Sequence, residues 1–144
     1  MDAVLTASRC MVAVATRSLG AVAAETTMAQ YRALVVLAAR GPQRLVDLAG
    51  TLDVAPSTAG RMCGRLARKG FIRRHRARCD RRAVLVSVTP AGRHVVDEGT
   101  RQCRTLIGDI MARLSVPAQR TAAEALRAFA DAAVEAPDRP GPEA

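Results

Sequence analysis

The stretch from Pro56 to Arg82 constrains the fold most, because it has the pattern of a short helix followed by an arginine-rich hairpin. It reads PSTAGRMCGRLARKGFIRRHRARCDRR. Pro56 suits the first position of a helix, and Gly70 suits the residue just after a helix ends. Ten of the 22 Lys and Arg residues lie between Arg61 and Arg82, where Asp80 is the one acid. That segment accounts for the whole formal net charge of +9, which indicates a polyanionic partner such as nucleic acid.

Helical and extended patterns can be followed along the rest of the chain. A capping-box pattern, Thr27 to Gln30, predicts a helix start, and Gly41-Pro42 predicts the end of the same helix. Valines alternate along residues 84–88, as in a strand. We predict helices at about 3–24, 28–40, 46–52, 56–69, 90–114 and 118–135, with extended segments near 44–45 and at 71–72 and 84–88. The apolar face of the second helix is predicted to be Tyr31, Leu34, Val35 and Ala38.

The fourth predicted helix has two distinct faces. Its apolar side carries Ala59, Met62, Cys63 and Leu66, and its polar side carries Ser57, Arg61, Arg65 and Arg68. Two short helices joined by a tight turn at residues 53–55, followed by a basic hairpin, predict a winged helix-turn-helix. The fold class is therefore mainly α, with about six helices and a β-hairpin wing.

A winged helix-turn-helix suggests a specific use for each basic residue. The major groove of B-DNA admits one helix, whose first turns meet the base edges. Arg61 and Arg65 can then bind guanine or phosphate. The face has no Asn or Gln, so bidentate adenine recognition by this helix is not available. In the hairpin, a carboxylate would be repelled by phosphate, so Asp80 is expected to orient an arginine. The candidate DNA-binding residues are Ser57, Thr58, Arg61, Arg65, Arg68, Arg73, Arg78, Asp80, Arg81 and Arg82.

Several motifs occur in the order and spacing of a known family. They are Leu48-Ala49, Pro56-Ser-Thr, Arg61, Leu66-x-x-Lys-Gly-Phe-Ile, Asp80-Arg81-Arg82, Val84 to Val88 and Thr89-Pro-Ala-Gly92. In these positions the chain resembles the MarR family of bacterial transcriptional regulators, from about Met28 to Asp97. One departure is Ala55, which stands where family members usually carry a helix-capping residue.

The resemblance implies a homodimer that places two recognition helices and two wings on a palindromic operator in double-stranded DNA. By similarity, Asp80 orients Arg82, and Arg82 enters the minor groove. The family also implies repression released by a small apolar or phenolic effector, or by an oxidant. The implied organisation is a single domain over 1–136, in which 28–89 bind DNA and helices in 1–25 and 90–136 dimerise. Residues 137–144 are predicted to be a disordered tail.

Other chemistry has weaker support. Cys63 and Cys103 fall on apolar stripes, whereas Cys10, or Cys79 among its arginines, remains a candidate oxidant sensor. His75 and His94 lack metal-ligand spacing, so no metal and no cofactor are expected. No nucleophile–base constellation occurs, so we do not expect an enzyme.

The amino-terminal segment lacks an export signal, and no apolar run is long enough to cross a membrane. We therefore expect a cytoplasmic protein without a membrane partner. Two alternatives remain open: an architectural DNA binder without sequence specificity, and a protein-interaction module that places its basic hairpin on an acidic partner.

Overall fold

A computed structural model describes residues 1–20, 26–76 and 83–135 of the 144-residue chain. In this part of the chain, six helices and three short strands follow one another. They are α1 (Asp2–Gly20), α2 (Met28–Arg40), β1 (Gln43–Arg44), α3 (Leu45–Leu52), α4 (Pro56–Arg68), β2 (Ile72–Arg76), β3 (Val84–Val88), α5 (Pro90–Met111) and α6 (Val116–Glu135). The predicted fold class, mainly helical with a hairpin wing, is confirmed. The predicted part of the first helix beyond Gly20 and the predicted tail at 137–144 lie outside the described residues.

The capping box at the start of α2 forms as predicted. The Thr27 hydroxyl accepts a hydrogen bond from the Gln30 backbone N–H at 3.3 Å, and the Gln30 side-chain oxygen accepts one from the Thr27 N–H at 3.3 Å. Gly41 ends the helix with φ of 78°, in the left-handed region that glycine adopts most easily. These two ends fix the length of α2 and therefore the position of its buried face.

The sheet is antiparallel and has the strand order β1-β3-β2. β2 and β3 form the predicted hairpin. The two-residue strand β1 adds to the other edge of β3, with Gln43 opposite Val86. The sequence predicts an extended segment near Arg44 but not this pairing, so the small sheet has one strand more than the hairpin alone.

One apolar core unites α2, α3, α4, β2, β3 and the first half of α5. Its largest fully buried side chains are Leu34, Leu37, Leu48, Leu66, Val86 and Cys63. Each buried leucine contributes about 1.5–3 kcal/mol through apolar surface removed from water. The prediction for α2 was wrong at one position, because Val35 is 37% exposed while Leu37 is fully buried.

Contacts between residues divide the chain into two compact units, Met1–Leu106 and Ile107–Ala144. The first unit holds the apolar core and the sheet. The second holds the end of α5 and all of α6, where Leu126 and Phe129 are 45% and 64% exposed. In the first unit, Leu5 and Val12 of α1 are also largely exposed, at 51% and 62%. These apolar side chains of α1 and α6 are therefore uncovered within each unit.

Candidate nucleic-acid interface

The turn between α3 and α4 sets the angle of the helix that carries the candidate DNA contacts. α3 ends at Asp53, whose φ of 55° and ψ of 51° place it in the left-handed region. Asp tolerates this conformation better than most residues other than glycine. The Val54 N–H donates to the Ala49 carbonyl oxygen at 3.0 Å, which closes the end of α3. The chain can then restart as α4 after only three residues, which makes the predicted helix-turn-helix.

The start of α4 has the weakness that the sequence indicates. Ala55 occupies the N-cap with extended backbone angles and offers no side-chain cap. Its carbonyl oxygen accepts hydrogen bonds from the N–H groups of Thr58 at 2.9 Å and Ala59 at 3.0 Å. Pro56, the first helical residue, has no N–H to satisfy.

The two faces of α4 are arranged as predicted. Ala59, Met62, Cys63 and Leu66 are buried, whereas Ser57, Thr58, Arg61, Arg65 and Arg68 are exposed. The Arg61 Nη2 donates to the Thr58 hydroxyl at 3.3 Å, so these two side chains lie together near the start of the helix. Five of the predicted contact residues thus share one exposed helix face.

The exposed face of α4 forms the wall of a shallow groove of about 330 Å³. The groove is lined by Arg61, Gly64, Arg65 and Arg68, and it is called the α4 groove below. Neither α4 nor β2 contains an acidic residue. In the described part of the chain, no carboxylate forms an ion pair with the three arginines of this groove. The surface therefore presents concentrated positive charge to an anion.

A second groove, of about 230 Å³, lies between the start of α2 and α4. Thr27 and Gln30 of α2 face Thr58, Arg61 and Arg65 across it. Arg61 and Arg65 line both grooves, so they stand at the centre of the basic face. The start of α2 was not among the predicted contact residues, and its capping-box pattern signals only the helix start.

The wing carries further arginines on β2. In the β2–β3 register, Ile72 lies opposite Val88, Arg73 opposite Ser87 and Arg74 opposite Val86. The predicted contact residue Arg73 is exposed. Residues 77–82 lie outside the described residues, and with them the predicted contacts Arg78, Asp80, Arg81 and Arg82, and also Cys79.

The Thr89 hydroxyl joins the end of α4, the wing and the start of α5. It donates to the Gly70 carbonyl oxygen at 2.6 Å and accepts from the Gly92 N–H at 3.1 Å. The Thr89 backbone N–H donates to the Phe71 carbonyl oxygen at 3.0 Å. A Cβ on Gly92 would overlap that same carbonyl group and would lie 2.9 Å from Val88 Cγ2. The close approach made possible by Gly92 holds α5 against the base of the wing.

Tyr31 connects α2 with the next turns of α5. Its hydroxyl donates to the Val96 carbonyl oxygen at 3.3 Å, and a Cβ on Gly99 would lie 2.8 Å from its ring. Gly92 and Gly99 thus allow α5 to lie close to Phe71 and Tyr31. Periodicity alone predicts the α5 stripe but not these contacts.

A thiol and a carboxyl outside the basic face have displaced pKa values. Burial raises the pKa of the Cys63 thiol, and the positive charge of Arg74 partly opposes that rise. Hydrogen bonds from Arg101 and then Gln102 lower the pKa of the half-buried Glu98 carboxyl to about 2. Neither belongs to a nucleophile–base pair: Cys63 is held as a buried neutral thiol, and Glu98 pairs with Arg101 one turn away on α5.

Metal binding and membrane crossing find no support in the described residues. Over residues 1–20, 26–76 and 83–135, no three His, Cys, Asp or Glu side chains come together as a metal site would require. Among the described helices, none has the length and apolar character needed to cross a membrane.

Comparison with known proteins shows which family has this arrangement. A sequence model described as the MarR family matches residues 26–84. RV1404 from Mycobacterium tuberculosis is 38% identical, with a TM-score of 0.84, over 96% of this chain and 92% of that one. The chain belongs to the MarR family. No curated protein gives a significant sequence match.

More distant structures share the MarR fold. A MarR family protein from Bacillus stearothermophilus is 16% identical with a TM-score of 0.82, over 93% of this chain and 92% of that one. A point mutant of MarR from E. coli, solved in complex with operator DNA, is 21% identical with a TM-score of 0.67, over 89% of this chain and 91% of that one. The operator DNA in that structure is bound by the E. coli protein.

Family membership confirms the coarse functional predictions. MarR proteins are transcriptional regulators that bind DNA, so this chain is a DNA-binding regulator and not an enzyme. The individual contact residues stay predictions. Five of them lie on one exposed face of the recognition helix α4, and a sixth, Arg73, is exposed on the wing.

Proposed function

We propose that this protein is a dimeric, sequence-specific repressor that binds a palindromic operator in the cytoplasm and is released by a small ligand or an oxidant. The observation that carries the proposal is the α4 groove, an exposed surface with three arginines and no paired carboxylate among the described residues. A buried apolar stripe fixes the opposite side of the same helix. The helix can therefore enter a major groove without leaving the core.

In this proposal the start of α4 meets the bases. Ser57 and Thr58 lie in the first turn, and Arg61, held by its hydrogen bond to Thr58, lies in the next. An arginine that binds guanine O6 and N7 through two hydrogen bonds gives about 1–3 kcal/mol of discrimination against another base. α4 contains no Asn or Gln, so we expect the operator half-site to be read mainly at guanines.

The wing supplies flanking contacts. Arg73 is exposed on β2, and we assign it to a backbone phosphate. Arg78, Arg81 and Arg82 are assigned to the flanking DNA, with Arg82 in the minor groove and Asp80 orienting it through an ion pair. An arginine in a narrow minor groove benefits from strong negative potential there.

Dimerisation is proposed through the terminal helices. Leu5 and Val12 of α1, and Leu126 and Phe129 of α6, are exposed apolar residues on two separate units. A second copy of the chain would bury them and would place two α4 helices on one palindrome. The small effector is proposed to be apolar or phenolic, and Cys10, exposed on α1, is the described candidate for an oxidant.

A competition experiment tests the specificity. The duplex between this gene and its neighbour, chosen for a palindrome, would be titrated in a mobility-shift assay against random competitor DNA. We expect the palindromic duplex to survive about a thousandfold excess of competitor. Equal binding of both duplexes would instead indicate an architectural DNA binder. No binding at low salt would indicate a module for acidic protein partners.

Two substitutions separate the roles in the wing. Arg82→Ala should weaken operator binding by about tenfold or more, because it removes a contact to the operator itself. Arg73→Ala should weaken operator and random DNA alike and reduce the slope of log K against log salt by about one unit per subunit. Full affinity in both variants would refute the assignment of the wing.

A further inference from the structure

Arg74 reaches from the wing to the recognition helix. It is paired with Val86, which is fully buried, and it is two residues from Ile72, which is 3% exposed. Because side chains alternate along a strand, Arg74 projects to the same face as Ile72, toward the core and α4, while Arg73 projects to the other. The Arg74 Nη1 lies 3.9 Å from the position that a Cβ would occupy on Gly64.

Gly64 lies beside the guanidinium of Arg74. It is a helix-interior glycine, and such a residue costs about 1 kcal/mol relative to alanine. It also lines the α4 groove together with Arg61, Arg65 and Arg68. The guanidinium of Arg74 therefore stands at the edge of that groove, beside the one position of the groove that has no side chain.

Arg74 lies close to the arginine-lined α4 groove. Its side chain is exposed, and the described residues include no carboxylate within ion-pair distance of it. Its field still reaches the interior of α4, where it opposes the rise in the pKa of the Cys63 thiol. A planar guanidinium beside other arginines is suited to a phosphate group, which it can bind with two parallel hydrogen bonds.

We propose that Arg74 is a DNA-binding residue that acts with the recognition helix instead of with the wing tip. Its guanidinium, together with those of Arg65 and Arg68, forms a seat for one backbone phosphate at the edge of the α4 groove. The phosphate fixes the rotation of α4 about its own axis, and so the direction in which Ser57, Thr58 and Arg61 face the bases. This inference rests on the proposed DNA-binding function and assigns it a contact that the sequence does not mark.

The first test compares Arg74→Gln with Arg32→Gln. Both remove one positive charge, but Arg32 is a residue of α2 that lines neither groove. For a dimer on its operator duplex, Arg74→Gln should reduce the slope of log K against log salt by about two units, one per subunit. At 0.15 M salt this corresponds to a loss of affinity of about fivefold per subunit. Arg32→Gln should leave the slope within about half a unit of wild type, and thermal melting checks that both variants fold.

The second test uses Gly64. A Cβ there would make only an ordinary contact with Arg74, so Gly64→Ala should stabilise α4 and serves as the reference for a longer side chain at the same position. Gly64→Gln should also favour the helix, but its longer side chain would occupy the space of the guanidinium and lower the affinity. In a double-mutant cycle on the operator duplex, adding Arg74→Gln to Gly64→Gln should change the affinity by less than about twofold.

The results of these two tests distinguish the proposed phosphate seat from the proposed DNA-binding function. If the wild-type protein binds the operator specifically but Arg74→Gln behaves like Arg32→Gln, the seat does not exist and the DNA-binding function stands. Additive effects in the cycle would also overturn the seat. If the wild-type protein does not bind duplex DNA at all, both proposals fail.

Discussion

Gly92 in α5 and Gly50 in α3 differ in the space around them. A Cβ on Gly92 would overlap the Phe71 carbonyl group, whereas a Cβ on Gly50 would meet nothing within 4 Å. Gly92 is therefore required for the contact between α5 and the wing. Gly50, in α3, has no steric reason to be glycine.

The pair yields a stability prediction. Gly92→Ala should lower the free energy of unfolding by about 1–3 kcal/mol, because α5 must shift away from backbone that cannot yield. Gly50→Ala should raise it by about 0.5–1 kcal/mol by reducing the entropy of the unfolded chain and favouring the helix. Urea unfolding followed by circular dichroism measures both. Equal effects of the two substitutions would contradict the close approach at Gly92.

At the scale of single residues, the sequence predicted α4 better than α2. In α4 the apolar residues are separated by charged ones, so only one helix face can be buried, and the prediction is confirmed at every position of the stripe. Residues 34–39 of α2 are all apolar. Periodicity cannot choose among them, and the choice between Val35 and Leu37 depends on what packs above the helix.

Among the elements, the recognition helix α4 starts without a side-chain cap. Ala55 already has the extended backbone angles of an N-cap residue, φ of −61° and ψ of 144°. A serine there needs no change of conformation to accept a backbone N–H of the first turn. The uncapped start is a local property of the sequence, which is why it could be predicted.

Ala55→Ser should therefore stabilise the protein by about 1 kcal/mol. The midpoint of urea unfolding should rise while its slope stays unchanged. Ala39→Ser, at an exposed position in the last turn of α2, serves as the control and should be neutral or slightly destabilising, because serine is a poorer helix former than alanine. A stabilisation shared by both variants would show that the effect is not capping.

The strands pair in a way that local sequence patterns do not specify. The alternating valines of β3 predict a strand, but the pairing of Gln43 with Val86 joins residues far apart in the chain, and no local pattern specifies it. Local sequence patterns also do not specify the orientation of Arg74, because it follows from the register of β2 on β3. The sequence therefore predicted Arg73 as the contact residue, although Arg73 lies on the opposite face of the same hairpin.

In the whole molecule, several large apolar side chains are exposed, and packing within a single copy of the chain gives no reason for it. Phe129 is 64% exposed on α6 and Leu126 is 45% exposed one turn before it. Large exposed apolar surfaces of this kind commonly mark an interface. Their spacing along α6 is that of a buried helix face, but spacing does not identify the chain that buries it.

Phe129→Glu should convert the proposed dimer into a monomer, because a carboxylate would have to be buried in an apolar interface. Light scattering at micromolar concentration should show the mass fall by half, and operator binding should fall with it. Thr121→Glu, an equal change of charge at an exposed polar position of the same helix, should keep the mass of the dimer. A wild-type protein of 15.2 kDa in solution would refute dimerisation.

The arginine-lined α4 groove also has a consequence for the protein when no DNA is bound. Like charges held close together on a folded surface repel one another, and dissolved ions screen that repulsion. Added salt should then stabilise the free fold, while the same ions weaken the complex with DNA. Without DNA, this repulsion should lower the free energy of unfolding. Bound DNA would neutralise the arginines and so stabilise the folded protein.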